Sequence, residues 1–253
     1  MKKITNALIS VYDKENLEVF ARGLLEERIN IISTGGTAKI LRKAGIATTK
    51  VEDVTNFPEI LDGRVKTLNP RIHGGILAVR TNKKHIEVLE RFKIPQVDLV
   101  VVNLYPFEEI REKSCGDEDQ IIEGIDIGVS SLIRAAAKNF RDVIVVVDPN
   151  DYQEILSQIK QKRLNLSFRK ELARKAFQHT CYYDAAISDY FLNCKNRIDR
   201  FQINEGLNSE SILLHLKKIK QLKYGENPHQ KANVYINLRD NLAPNMLENQ
   251  IQG

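Results

Sequence analysis

Two segments of this chain leave little choice of fold. Val97–Leu104 holds the run DLVVVNL and Val143–Val147 sits inside DVIVVVD. A strand with one face in water alternates apolar and polar residues. An unbroken run of β-branched residues suits a strand buried on both faces, as in a parallel sheet under helices. Two further apolar runs, Ala7–Val11 and Ile29–Ile32, read as strands of the same sheet. Between the runs, Leu17, Phe20, Ala21, Leu24 and Leu25 recur at three- and four-residue spacing and predict a helix within Lys14–Arg28. Thr37–Lys43, His85–Phe92 and Ser131–Asn139 are further helical candidates. Alternating strand and helix predicts an α/β fold with a Rossmann-type parallel sheet and right-handed crossovers. Ligands in such sheets bind beyond the carboxyl ends of the strands.

From about Asp151 the pattern changes to long helices. Within Ser167–Cys194, Leu172, Ala176, Tyr183, Ile187 and Phe191 fall four or seven residues apart. Residues 195–221 are polar and rich in Asn and Lys, which reads as a linker, and LKYGENPHQ follows. The expected organisation is an α/β domain over 1–150, a helical extension over 151–200, and a linker with the start of a second domain over 201–253.

Composition removes several classes of function. With 253 residues, 42% of them hydrophobic, the chain can bury a core without disulfides or structural metals. Cys115, Cys181 and Cys194 are odd in number and lack CxxC spacing, so neither a zinc cluster nor a disulfide framework is expected. No stretch approaches the roughly 18 apolar residues of a membrane span, and the opening MKKITNALISVYDKEN lacks the apolar core of a secretory signal. A cytoplasmic location is expected. The net charge of +5 is not gathered into a dense basic run, nor are aromatics interleaved with Lys and Arg as nucleic-acid stacking platforms would be. Mild positive charge suits small anionic substrates, and equally a merely solvated surface.

Four motifs could carry chemistry. Ser33-Thr34-Gly35-Gly36-Thr37 follows a strand and opens a helix. Its glycines would let helix N–H groups approach a phosphate, with hydroxyls of Thr34 and Thr37 as added donors. An ordinary turn with Thr37 as N-cap is the alternative. Because no Gly-Lys-Ser/Thr follows, it is not a nucleoside-triphosphate loop. The second motif, GRVKTLNPRIHGG (63–75), reads as a shaped loop rather than a helix, on account of Gly63, Pro70 and the Gly74-Gly75 pair. In an extended segment Arg64 and Lys66 would point the same way, toward one anion; a solvated basic loop is the alternative, and the commoner case for a lone pair of cations. His73 reads as a packing or hydrogen-bonding residue. Third, Asn103 and Tyr105 share a face at the carboxyl end of the strongest strand. Fourth, Ile125-Asp126-Ile127-Gly128 leads into a helix that ends near Lys138. Asp126 alone could be a helix cap, and Lys138 a cation at a helix C-terminus.

Taken together, SVYDK (10–14), STGGT (33–37), GRVKTLNPRIHGGILA (63–78), NLYPF (103–107), IDIG (125–128) and RAAAKN (134–139) closely resemble the bifunctional purine biosynthesis proteins. That family joins an N-terminal IMP cyclohydrolase to a C-terminal AICAR formyltransferase, and LKYGENPHQ resembles the opening of the second half. The resemblance implies a methylglyoxal-synthase-like fold and closure of formyl-AICAR to IMP with loss of water. It implies that Lys66, Tyr105, Asp126 and Lys138 take part in ring closure. Ser10, Tyr12, Asp13, Lys14, Thr34, Gly35, Gly36, Thr37, Arg64, Val65, Thr67, Val102, Asn103, Ile127 and Gly128 would bind the nucleotide, with STGGT on its phosphate. Lys223 and Tyr224 match the family's AICAR-binding pair. No metal or organic cofactor is implied for ring closure; 10-formyltetrahydrofolate is the co-substrate of the transformylase.

This sequence departs from the family pattern in three places. Asn69 stands where the family has His, and Asn does not titrate near neutrality. Val129 stands where a second Gly is expected, and would be strained if that position needed a positive φ. Lys223 replaces Arg, which keeps charge but loses the bidentate fork. The transformylase's catalytic Lys-His motif has no counterpart here, since Lys84-His85 lies in the first domain. The expectation is a cyclohydrolase that does not by itself transfer formyl groups, acts as a homodimer or beside a separate transformylase chain, and binds neither nucleic acid nor membrane. A methylglyoxal-synthase-like lyase and a non-catalytic nucleotide-sensing module are the alternatives.

Overall fold

The computed structural model describes residues 3–114, 116–198 and 216–237. The chain divides into two compact units, Met1–Ile187 and Ser188–Gly253.

The first unit is built on a five-stranded sheet: β1 (Asn6–Val11), β2 (Asn30–Ser33), β3 (Thr49–Lys50), β4 (Leu99–Asn103) and β5 (Ile144–Val146). Their order is β3-β2-β1-β4-β5, and every neighbouring pair is parallel. Ala7, Leu8 and Ile9 of β1 and Leu99 to Val102 of β4 are fully buried, as runs without alternation require. The expected α/β class and parallel sheet are therefore present. All four sequence-predicted strands form, and the short β3 adds an edge too brief to leave a periodic signal.

Helices α1 (Leu17–Glu26), α2 (Gly35–Lys43), α3 (Val51–Thr55), α4 (Pro70–Leu77), α5 (Lys83–Arg91), α6 (Phe107–Lys113), α7 (Glu118–Glu123), α8 (Ile127–Lys138), α9 (Tyr152–Lys160) and α10 (Leu166–Ile198) connect and flank the strands. Within the first unit α8 packs on β4 and β5 and against α4, while α1 packs on β2 and α9. The rings of Phe20 and Tyr152 stack at 4.3 Å between α1 and α9. At the amino end of the sheet, the buried Asp98 carboxylate accepts from the Thr5 N–H and hydroxyl, each at 2.8 Å, and from the Asn6 N–H at 3.2 Å. It ties the entry of β1 to that of β4.

The structure corrects several expectations about local conformation. Residues 63–75 are not one loop. After a 3-10 turn at Leu61–Gly63, residues from Pro70 form α4, with Asn69 as N-cap: its side chain accepts from the Arg71 N–H at 2.8 Å. Proline at the first helical position has no N–H to lose there, so it opens the helix rather than preventing it. Gly75 stays inside the helix because a Cβ would stand 2.3 Å from the Pro95 carbonyl oxygen. Helix α2 starts at Gly35 with Thr34 as N-cap, not Thr37. Helix α8 starts at Ile127, four residues before the predicted Ser131.

The second unit contains an antiparallel hairpin of β6 (Leu216–Gln221) and β7 (Asn233–Asn237). Residues 216–221 are thus a strand and not linker; cross-strand pairing, rather than an apolar pattern, makes them one. Residues 199–215 of the expected linker, and the chain beyond 237, lie outside the described residues.

Truncating Leu8, buried at the sheet centre, should lower stability by about 3 kcal/mol. Leu8→Ala is therefore expected to unfold at clearly lower urea than wild type, whereas Val19→Ala, at a position 69% exposed, should leave the midpoint nearly unchanged.

Candidate active site

The strand order reverses beside β1. The chain leaves β1 toward β2 on one side and meets β4 on the other, so the loops part above the carboxyl ends of β1, β2 and β4. Ser10, Thr34 and Asn103 all sit at that opening.

Backbone forms one wall. Helix α2 begins at Gly35, whose φ is +31°, and its N-cap Thr34 makes no side-chain cap bond. The N–H groups of the first turn are left facing the opening with the positive end of the helix dipole. The motif's hydroxyls turn inward, contrary to expectation for Thr37. The Thr37 hydroxyl donates to the Val11 carbonyl at 3.1 Å and accepts the Val11 N–H at 3.2 Å. Ser33 donates to Ile9 O at 2.7 Å, and Ser10 and Thr34 share a hydrogen bond of 2.7 Å. Asn103 Oδ1 accepts the N–H groups of Tyr12 at 2.7 Å and Asp13 at 3.0 Å, which fixes the exit of β1. The Lys14 ammonium folds back onto the carbonyls of Val11 and Tyr12, and its burial lowers its pKa.

The segment after Gly63 forms the second wall. Gly63 has φ +89°, and a Cβ there would strike Glu59 Oε1. Arg64 is helical in φ and ψ, so the extended geometry expected for Arg64 and Lys66 is not found; a series of turns replaces it. Both residues nonetheless line one cavity of about 540 Å³ together with Ser10, Thr67 and Asp126. Arg64 pairs with Glu123. Lys66 Nζ lies 3.7 Å from Glu59 Oε1 and only 3.5 Å from where a methyl on Gly35 would stand, directly over the STGGT loop. Val65 is half-buried and Thr67 buried; a Cβ on Gly128 would come within 2.6 Å of Thr67 Oγ1.

Asp126 closes the third side as the N-cap of α8, its Oδ1 accepting the Val129 N–H at 2.7 Å. Its pKa is raised, chiefly by burial; bonds from Val129 and Gly128 and the charge of Lys66 oppose the rise. Val129 lies in the first turn of α8 and is not among the positive-φ residues, so the strain expected there does not arise. Ile127 is exposed, whereas Val102 is fully buried within β4.

The remaining candidates of the first unit do not line this cavity. Tyr105 packs edge-on against Tyr12 with ring centroids 4.0 Å apart, beside the opening, and its hydroxyl accepts from Lys113 Nζ at 2.8 Å. Lys138 is exposed at the far end of α8, twelve residues and about 18 Å along the helix from Asp126. Within one chain it does not join the group. His73 bonds Ser131 Oγ at 3.2 Å, a packing role. Lys223 and Tyr224 are exposed in the loop between β6 and β7, where Gly225 N–H meets Gln230 O at 2.9 Å. Glu59 was not foreseen: seven residues from Lys66 in irregular chain, it left no periodic signal. Among the described residues no group of three or more His, Cys, Asp or Glu side chains could hold a metal ion, and no helix is long and apolar enough to cross a membrane.

Comparison with known proteins first gives the class. Residues 16–131 match the model of the MGS-like domain, and residues 136–253 match that of the AICARFT/IMPCHase bienzyme. The crystal structure of ForH superposes with a TM-score of 0.68 at 35% identity, covering 74% of this chain and 99% of that one. Curated relatives carry the name bifunctional purine biosynthesis protein PurH. That of Oceanobacillus iheyensis is 49% identical over 90% of this chain and 43% of its own length. Those of Acetivibrio thermocellus and Bacillus subtilis are 45% and 46% identical over 99% and 92% of this chain, and 47% and 44% of theirs. The chain belongs to this PurH family, and it spans a little under half the length of these relatives.

Removing the Asn69 cap should cost about 1 kcal/mol. Asn69→Ala is expected to lower the unfolding midpoint, while Asn69→Asp, which keeps an acceptor at the cap, should hold it near wild type.

Proposed function

We propose that this chain closes the ring of formyl-AICAR to give IMP. The observation that carries the reading is the placement of Lys66: it lines one cavity with Ser10 and the half-buried Asp126, and its ammonium stands 3.5 Å from the Cβ position of Gly35, which opens α2. The substrate's phosphate fits the α2 N–H groups, which supply partial positive charge without a side chain. That contact anchors the nucleotide and brings the carboxamide nitrogen against the formyl carbon, where alignment supplies much of the acceleration for a poor nucleophile. As the C–N bond forms, negative charge grows on the former formyl oxygen. Lys66 stabilises it. Asp126, its pKa raised by burial, accepts the proton lost by the carboxamide nitrogen and passes it to that oxygen, giving a hydroxyl; as the C=N bond forms, the proton lost from the 5-formamido N–H goes by the same carboxylate to the hydroxyl, which leaves as water. Tyr105, beside Tyr12, bounds the opening. On this geometry no proton step is assigned to Lys138. The reaction as drawn uses no metal or organic cofactor, and its partner is the small nucleotide itself.

A second reading, methylglyoxal formation from dihydroxyacetone phosphate, is favoured by the match to the MGS-like domain model. Its product would appear on incubation with that triose phosphate. Ring closure instead predicts IMP absorbance from formyl-AICAR and none of the dicarbonyl. A parallel incubation with AICAR and 10-formyltetrahydrofolate tests the second activity of the family.

Two outcomes separate the roles. Lys66→Ala should cut kcat by roughly 100-fold or more. Asp126 gains its charge only above its raised pKa, so activity should fall as pH drops through a value above the ordinary Asp range of about 3.9, and Asp126→Asn should remove that acid limb with most of the rate. At Gly36 nothing lies within 4 Å of an added Cβ. Gly36→Ala should therefore fold as well as wild type yet raise the KM for the nucleotide; an unchanged KM would show that the loop is an ordinary turn.

A further inference from the structure

Helix α10 carries a buried tyrosine and a half-buried histidine that reach the candidate site from outside it. We propose that Tyr183 and His179 are positioning residues for ring closure, holding the loops that bear Asp126 and Tyr105. The inference rests on the function proposed above.

The Tyr183 hydroxyl accepts the backbone N–H of Asp126 at 2.8 Å and donates to the Gly124 carbonyl at 3.3 Å. The N–H of an N-cap residue belongs to no helical ladder, so without that hydroxyl it has no partner within α8. Two bonds thus grip Asp126. Tyr183 takes its main chain, and the Val129 N–H takes one carboxylate oxygen. Together they fix the direction in which the carboxylate faces Lys66. The Tyr183 ring meets Phe107 edge-on at 6.3 Å, and Phe107 opens α6 two residues after Tyr105.

One turn earlier on the same face of α10, His179 Nε2 accepts the Leu104 N–H at 3.1 Å. That acceptor role requires a neutral ring with its proton on Nδ1. Burial lowers the His179 pKa, in agreement. Leu104 directly precedes Tyr105, so one helical turn of α10 sets the exit of β4 and the entry of α8. A purely apolar packing residue at 183 would not need a hydroxyl; this one satisfies a donor on one residue and an acceptor two residues before it.

The phosphate cradle lies on β1 and α2 and makes none of these contacts. Loss of the clamp should therefore act on chemistry more than on binding. In the full chain, Tyr183→Phe keeps the ring and removes only the oxygen. It is expected to lower kcat for formyl-AICAR roughly 10-fold with KM within about twofold, and with the melting temperature nearly unchanged. His179→Leu should act the same way, and His179→Gln, whose amide oxygen can accept the Leu104 N–H, should restore most of the rate. Backbone amide exchange by NMR supplies a readout that does not need turnover. The Asp126 amide should exchange faster in Tyr183→Phe and the Leu104 amide in His179→Leu, with the Val11 amide unchanged. Unaltered kcat in Tyr183→Phe, or unaltered exchange at Asp126, would overturn the clamp. Should the wild-type chain fail to make IMP, the function proposed above falls, and the exchange rates still decide whether the clamp exists.

Discussion

The parallel pairing of β1 with β4 is the contact on which the rest depends. Ala7 lies opposite Leu99, Leu8 opposite Val100 and Ile9 opposite Val101, all six buried. Strands covered on both faces must be joined by chain that crosses over, so helices fill both sides and the loops collect at the sheet ends. With β2 on the other edge of β1, the connections leave in opposite directions and a gap opens between them. Ser10, Thr34 and Asn103 are the first polar residues at the rim of that gap. Hydrophobic burial fixes the sheet; the position of the polar groups follows from where it stops.

At the rim, opposing electrostatic effects are held in balance. Burial disfavours the charged form of Asp126, while Lys66 and two helix N–H groups favour it, and burial is the larger effect. Lys66 is itself shared with Glu59. Lys66 and Asp126 thus place two half-buried groups of opposite charge on one cavity at the head of α8.

Much of this was legible in the sequence, and for a definite reason. Val97–Leu104 and Val143–Val147 admit few other conformations, so the strands, their parallel sense and the site at their carboxyl ends follow. Lys66 and Asp126 stood out because they occur in loops with recognisable glycines. What could not be read depended on long-range partners. Asn69-Pro70 looked like a loop because proline usually ends a helix, yet at the first helical position it begins one. The Thr37 hydroxyl looked like an anion donor, but the carbonyl that claims it belongs to Val11, 26 residues away. Leu216–Gln221 has a strand only through its pairing with β7. Tyr183 was visible as a core position of a helix, and nothing in its neighbours indicated the backbone it would hold. Lys138, chosen by resemblance, falls at the wrong end of α8 for a role beside Asp126 in the same chain.

The inward turn of the STGGT hydroxyls has a consequence for how such a site can change over evolutionary time. What the loop offers outward is main chain, and main chain is common to every residue but proline. Side chains around it can drift without deleting a donor, so long as glycine remains where approach is close. Specificity must then be altered elsewhere, on the wall that carries Lys66 and Asp126. The two walls are thus separately mutable: side chains on the one that carries Lys66 and Asp126 can change while the other keeps the same main-chain donors.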